Sequence, residues 1–316
     1  MRSFADRLLE RIKDLDNPTV MGLDPRLEYI PEEITTRWNN DLSSDPELAS
    51  AMAIYEFNQI LINSVCDIIP AIKPQFAYYE MYGTTAIETL RKTIRYAQSK
   101  GMLVIADAKR NDIGTTATAY AEGIIGSTTL TDGNNKSMFG ADAVTVNGYL
   151  GIDGIKPFTD VCMRDGKGIF ALVHTSNPSA GDLQDMELSD GRKVYELMAD
   201  KVNEWGQDLI GESGFSSVGA VAGATWPEQA VEIRKRMPNS LILVPGYGAQ
   251  GAGPDAAVAS FTKEGTGSIV NASRSLMCAW KKRDDLNPLE FGNATRDEAL
   301  DMKDKLNAAL KNRKYV

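Results

Sequence analysis

The sequence has a single histidine, His174, and only three cysteines, Cys66, Cys162 and Cys278, among 316 residues. One imidazole leaves a histidine-based nucleophile triad a single candidate and excludes a histidine-rich metal site. Three scattered thiols form neither a disulfide framework nor a metal-ligand spacing, and they read as buried cysteines of a reducing cytosol. Basic residues are also short: 34 Lys and Arg face 43 Asp and Glu, a formal net charge of −9. That balance argues against nucleic acid or an anionic membrane as a general partner, because both need a basic surface. No apolar run approaches the length of a membrane span. The N-terminal stretch MRSFADRLLERIKDLD is a charged amphipathic helix without the apolar segment of a signal peptide. A bound anion would therefore need a local basic spot.

What remains is ordinary globular material, 43% hydrophobic and 24% charged. Eight short runs rich in Val, Ile and Ala recur along it, at 19–24, 70–75, 102–109, 142–149, 168–176, 217–225, 241–248 and 267–275. Such runs suit strands buried on both faces. Helical patterns fill the gaps. One opens with Asp45 as N-cap and Pro46 at N1, and places Ile54, Phe57, Leu61, Val65 and Ile68 on one face. Another carries Ile87, Leu90, Ile94 and Ala97 and stops at Gly101. Residues 189–212 and 227–237 read the same way. Eight strands alternating with helices predict a parallel sheet closed into a (β/α)₈ TIM barrel; an open doubly wound sheet is the rival. No Pro/Gly/Ser linker divides the chain, so residues 1–316 are expected to form a single barrel domain. Segments 26–44, 127–140 and 276–293 read as insertions.

In a barrel, reacting groups sit at the C-terminal ends of the strands. The first run ends in Asp24 and the second carries Lys73. The third, VIADAKRNDIG, ends in Asp107 and Lys109, with Asp112 just beyond. Strand alternation puts Asp107 and Lys109 on the face of Leu103 and Ile105, so a face that is apolar below becomes charged at the mouth. Lys73, on the adjacent strand, can approach the pair, and alternating signs make the burial tolerable. A salt-bridged strand end without chemistry is the bland alternative for any one of these residues. Acid and base clustered on adjacent strand ends favour a reaction centre. The seventh and eighth runs carry a second signal. Gly246, Gly248, Gly251 and Gly253 can turn backbone N–H groups toward an anion, and Arg274 ends the following strand. This is the usual phosphate position in such barrels. GLDP and TSNPS are turn-like alone, and His174 is read as packed or mouth-facing, without a role.

Together these residues resemble the orotidine 5′-phosphate decarboxylase family. DAKRNDIGTTA matches its D-x-K-x-x-D-I pattern, with Thr116 four residues after the second Asp; GLDP, IKPQ, TSNPS, PGYGAQG and NASR match in order at the expected strands, and the match spans roughly residues 4–275. The insertions resemble the longer-chain branch. Sugar-phosphate relatives share the D-x-K-x-x-D motif, but their metal-dependent branch has an acid at the position of Lys73. Ser273 departs from the family's frequent glycine there. The resemblance implies a cytoplasmic lyase of pyrimidine biosynthesis that converts orotidine 5′-monophosphate (OMP) to uridine 5′-monophosphate (UMP) and CO₂ without metal or cofactor. It implies a catalytic array of Lys73, Asp107, Lys109 and Asp112, with Lys109 protonating C6 of the pyrimidine. Asp24, Lys73 and Thr116 would meet the ribose, Ser176 the pyrimidine edge, and Gln250 and Arg274 the phosphate. Asp112 and Thr116 would reach into a partner's site in a homodimer with shared active sites. Two readings from other classes stay open: a Schiff-base aldolase using Lys109 or Lys73, and a non-catalytic barrel that binds phosphate ligands.

Overall fold

The computed structural model describes residues 1–248, 251–283 and 285–313. All eight expected strands form: β1 (Thr19–Leu23), β2 (Ala71–Pro74), β3 (Leu103–Arg110), β4 (Ala143–Val146), β5 (Gly168–His174), β6 (Ser216–Ala222), β7 (Ser240–Val244) and β8 (Ser268–Ala272). Each lies parallel to its chain neighbours, and β1 pairs with β8, so the sheet is a closed (β/α)₈ barrel. The open-sheet rival is thereby excluded.

Strand alternation divides the core in two. Val20, Ala71, Leu103, Ile105, Ala143, Phe170, Leu241 and Ile269 fill the barrel interior. The intervening residues, such as Val104 and Val144, face outward against helix residues including Ile54, Phe57, Leu90 and Phe158. The N-terminal helix, Phe4–Leu15, stoppers the lower end. Phe4 and Leu8 are fully buried, and the Phe4 ring meets Phe170 edge-on at 5.9 Å. Nothing larger than Gly168 fits beneath it, since a Cβ there would lie 2.3 Å from that ring. Closing the bottom leaves the upper mouth as the open end.

The helices follow their capping signals. Pro46–Val65 begins at Asp45, whose carboxylate accepts the Leu48 N–H at 2.9 Å. Gly83–Ser99 is followed by Gly101 at φ +78°. The helix expected over 189–212 is shorter, Val194–Trp205, followed by a 3₁₀ turn over Gln207–Leu209. Gly191 at φ +83° forms a turn ahead of it, and Glu196 caps the start by accepting the Lys193 N–H. The insertions are structured. Residues 26–44 hold the helix Glu32–Asp41, and 127–140 hold a hairpin pairing Thr128–Thr129 with Asn135–Lys136. Residues 276–293 hold short helical turns leading into Phe291–Asn312. No helix among the described residues is long and apolar enough to cross a membrane.

Candidate active site

The uppermost inward-facing layer of the barrel is divided by chemistry. On β2, β3 and β4 it carries Lys73, Asp107 and Thr145; on β5, β6 and β7 it carries Leu172, Val221 and Leu243. All six line one cavity of about 440 Å³, together with Lys109 and Ser176.

Asp107 is the centre. Its Oδ2 accepts from Lys73 Nζ at 2.5 Å, and its Oδ1 accepts from Lys109 Nζ at 2.6 Å and from the Thr145 hydroxyl at 3.0 Å. The residue is 6% exposed and Lys73 is 5% exposed, so both charges sit away from water. Burial alone would raise the Asp107 pKa. The two ammonium groups outweigh it and hold the carboxyl well below its ordinary range. Burial likewise opposes a charged Lys73, but Asp107 and then Asp24 more than compensate, and its pKa is raised. Asp107 and Lys73 therefore stay ionised at neutral pH, with the carboxylate bonded on its other side by Lys109. Lys109 differs from Lys73 in access: its side chain is 46% exposed at the open side of the cavity.

The backbone at this point is not a regular strand. Ala106 pairs with Val144 and Arg110 with Val146, so Asp107, Ala108 and Lys109 all stand opposite the single residue Thr145. Lys109 adopts φ +47°, a left-handed conformation costing about 1–3 kcal/mol for a side chain of this kind. Asp107 and Lys109 do meet, as alternation predicted, but through this bulge. Bulges of this type re-aim side chains at barrel rims. Thr145 was not singled out from the sequence. The signal was its inward parity with Ala143.

Asp24 follows β1, and its charge reaches Lys73. Its Oδ1 is buried and has no hydrogen-bond partner among the described residues, leaving an acceptor for a ligand hydroxyl. Ser176 is set by a pinned loop. Gln184 accepts the Thr175 N–H at 2.8 Å, Trp226 Nε1 donates to the Thr175 carbonyl at 3.1 Å, and a Cβ on Gly223 would lie 2.7 Å from Ser176 Cα. Ser273 occupies the space that Gly22 leaves: a Cβ on Gly22 would sit 1.9 Å from its hydroxyl oxygen.

Three predicted residues stand apart from this cluster, and one lies outside the described residues. Asp112 is half-exposed; its Oδ1 accepts the N–H of Ile113 at 2.8 Å, and it does not line the cavity. Thr116 is exposed on the helix Gly114–Ile124. Arg274 lines a different cavity, of about 690 Å³, with Gly248, Gly253 and Lys305. Gln250 lies outside the described residues. His174 is fully buried but faces outward, because an extra residue on β5 between the Leu172–Val221 and His174–Ala222 pairs turns it toward the helices. There it packs edge-on against Tyr195 and Trp226, with Nε2 3.2 Å from Asp185; burial lowers its pKa. Among the described residues, no cluster of three or more His, Cys, Asp or Glu could hold a metal ion.

Fold and site together define a (β/α)₈ barrel that carries fixed, alternating charges at its strand ends. Residues 52–286 match the model of the orotidine 5′-phosphate decarboxylase / HUMPS family. The chain is 42% identical over 285 residues to orotidine 5′-phosphate decarboxylase of Rhodopirellula baltica, covering 90% of this chain and 91% of that one. It is 37% identical over 307 residues to the Clostridium perfringens protein of the same name, covering 97% and 99%. Among solved structures it is similar to Leishmania donovani OMP decarboxylase, at TM-score 0.73 and 29% identity, covering 98% of this chain and 99% of that one. The chain belongs to the orotidine 5′-phosphate decarboxylase family.

Proposed function

We infer that the chain decarboxylates OMP to UMP and CO₂, the last step of de novo UMP synthesis, with Lys109 delivering the proton to C6. One observation carries the reading: a buried carboxylate held between two ammonium groups faces an apolar half-ring across a cavity of about 440 Å³, within the range of small-ligand sites. Loss of CO₂ leaves an electron pair on C6. An ammonium fixed beside that carbon stabilises the charge as it develops and needs no reorganisation to do so. Lys109 is the cation open to the cavity, so it both stabilises and protonates the carbon. Leu172, Val221 and Leu243 exclude water from the other side, which strengthens each charge interaction within. CO₂, lacking charge and dipole, leaves against that wall. Asp107 fixes the Lys109 ammonium, and Lys73 keeps Asp107 ionised.

Asp24, with its unpartnered oxygen, and Lys73 take the ribose hydroxyls, and Ser176 takes the pyrimidine edge. The glycine loop, Gln250 and Arg274 hold the phosphate, whose binding energy orients the distant base. Metal is not required, because the charge a metal would supply is already present as Lys73. A Schiff base on Lys73 is disfavoured, since such a lysine needs a depressed pKa and that of Lys73 is raised; borohydride trapping with substrate tests the same chemistry at Lys109.

The working unit is a homodimer of the cytoplasm in which Asp112 and Thr116 complete the partner's site. Ile113, Tyr149 and Ile152, which are 54%, 76% and 50% exposed, offer an apolar surface beside them. The test of the whole reading is direct. Purified protein mixed with OMP should remove the long-wavelength ultraviolet absorbance that distinguishes OMP from UMP, and yield UMP identified by chromatography. OMP recovered unchanged from a folded, UMP-binding protein would leave only the binding-barrel alternative.

A further inference from the structure

Lys109 has to place its ammonium to within a fraction of an ångström, yet little holds it. The side chain is 46% exposed, and its Nζ is held in place by Asp107. Its backbone sits at φ +47°, in a stretch where three residues of β3 stand opposite one residue of β4. That one residue is Thr145, and it is 1% exposed. Its hydroxyl oxygen accepts the Lys109 N–H at 3.0 Å, and its O–H donates to Asp107 Oδ1 at 3.0 Å. Asp107 Oδ1 is also the atom that receives the Lys109 ammonium. One buried hydroxyl thus touches the backbone of the proton donor and the carboxylate oxygen that aims its side chain.

We propose that Thr145 is a positioning residue for decarboxylation, its hydroxyl fixing both the left-handed backbone of Lys109 and the acceptor oxygen of Asp107. Valine has nearly the same shape but neither donates nor accepts. In Thr145→Val the Lys109 N–H loses its acceptor, and Asp107 Oδ1 is left with the mobile ammonium alone. The bulge then loses the side-chain bond that holds it at Lys109, and the donor spreads over several positions. Small misplacements of reacting groups cost rate far more than binding. Thr145 touches Lys109 and Asp107 and neither the ribose nor the phosphate groups, so its loss should appear in kcat.

The inference rests on the reading of Lys109 as proton donor, and one assay separates the two. Steady-state turnover of OMP would be measured for Thr145→Val, Thr145→Ser and Lys109→Ala. Calorimetric UMP titration would give the affinity and the fraction of intact sites for each. Thr145→Val should lose about 10–100-fold in kcat, with UMP affinity within about threefold of wild type. Thr145→Ser restores the hydroxyl and should recover most of the rate. A Thr145→Val enzyme with kcat within about twofold of wild type overturns the inference, and so does a serine variant as slow as the valine one. If Thr145→Val does not fold, Thr145→Ala takes its place against Thr145→Ser under the same criteria. Full turnover by Lys109→Ala overturns the proton-donor reading itself, whatever Thr145 does.

Discussion

Replacing Asp107 with Asn should destabilise the protein by an amount that depends on pH in a definite direction. Asn keeps the volume but removes the one anion bonded to Lys73, which is 5% exposed. Breaking a buried ion pair by deleting one partner costs about 3–5 kcal/mol. Asp24 remains near Lys73 and compensates in part, so the lower end, about 3 kcal/mol at pH 7, is expected. That is a large share of the 5–15 kcal/mol by which domains are usually stable. Burial is the largest influence on Lys73 and acts to lower its pKa; without Asp107 it prevails, and the pKa changes from raised to depressed. A lysine depressed in the folded state makes folding uptake-sensitive: its penalty is greatest below the folded pKa and fades as pH rises toward the unfolded value near 10.4. In the wild type the raised pKa contributes stability that persists below that same unfolded value. The deficit of Asp107→Asn should therefore shrink between pH 7 and pH 10. Urea unfolding of both proteins at several pH values measures it. A deficit under about 1 kcal/mol at pH 7, or one unchanged at pH 10, would refute the account of Lys73 and Asp107 as a mutually dependent buried pair.

Lys109→Ala should lower kcat by about a thousandfold or more, since ~4 kcal/mol of transition-state stabilisation is lost, while UMP binding measured by calorimetry survives. Exhaustive chelation should leave OMP turnover unchanged; activity lost with chelator and restored by Mg²⁺ would refute metal independence. Lys109→Ala and Asp112→Ala homodimers should each be nearly inactive, and mixing them should restore activity, because one site of the heterodimer carries neither lesion. Subunit exchange verified with differently tagged chains, without recovered turnover, would place the action of Asp112 within its own chain. Burial would raise the Asp6 pKa, but hydrogen bonds from the side chain and backbone N–H of Ser213, from Ser3 and from the Glu212 N–H overcome it and lower the pKa from 3.8 to about 2. Asp6→Asn should cost up to about 2 kcal/mol at pH 7. Because the folded pKa is the lower one, that difference should fade as pH falls from about 4 to 2, as thermal melts across this range would show.

The strand ends were legible in the sequence because period-2 burial and local turn chemistry act over a few residues. Leu103 and Ile105 point inward, so the charges that follow them at Asp107 had to reach the mouth. Lys73 on the neighbouring strand followed from the same logic, as did the barrel from eight alternating units. The sequence alone also carried the family, through residues spread over most of the chain. Three features required the tertiary structure. The bulge that sets Lys109 at φ +47° is a mismatch of register between β3 and β4, and register is a property of two strands together. Thr145 gains its two partners only through that mismatch; within AVTV it is one more β-branched residue. His174 has inward parity by counting, yet an extra residue on β5 turns it against Tyr195 and Trp226. Asp112 shares a motif with Lys109 but not a cavity, because the chain leaves the strand after Arg110 and carries it to the surface. Sequence spacing fixes which residues travel together along the chain, whereas the pairing of neighbouring strands decides which of them face the same space.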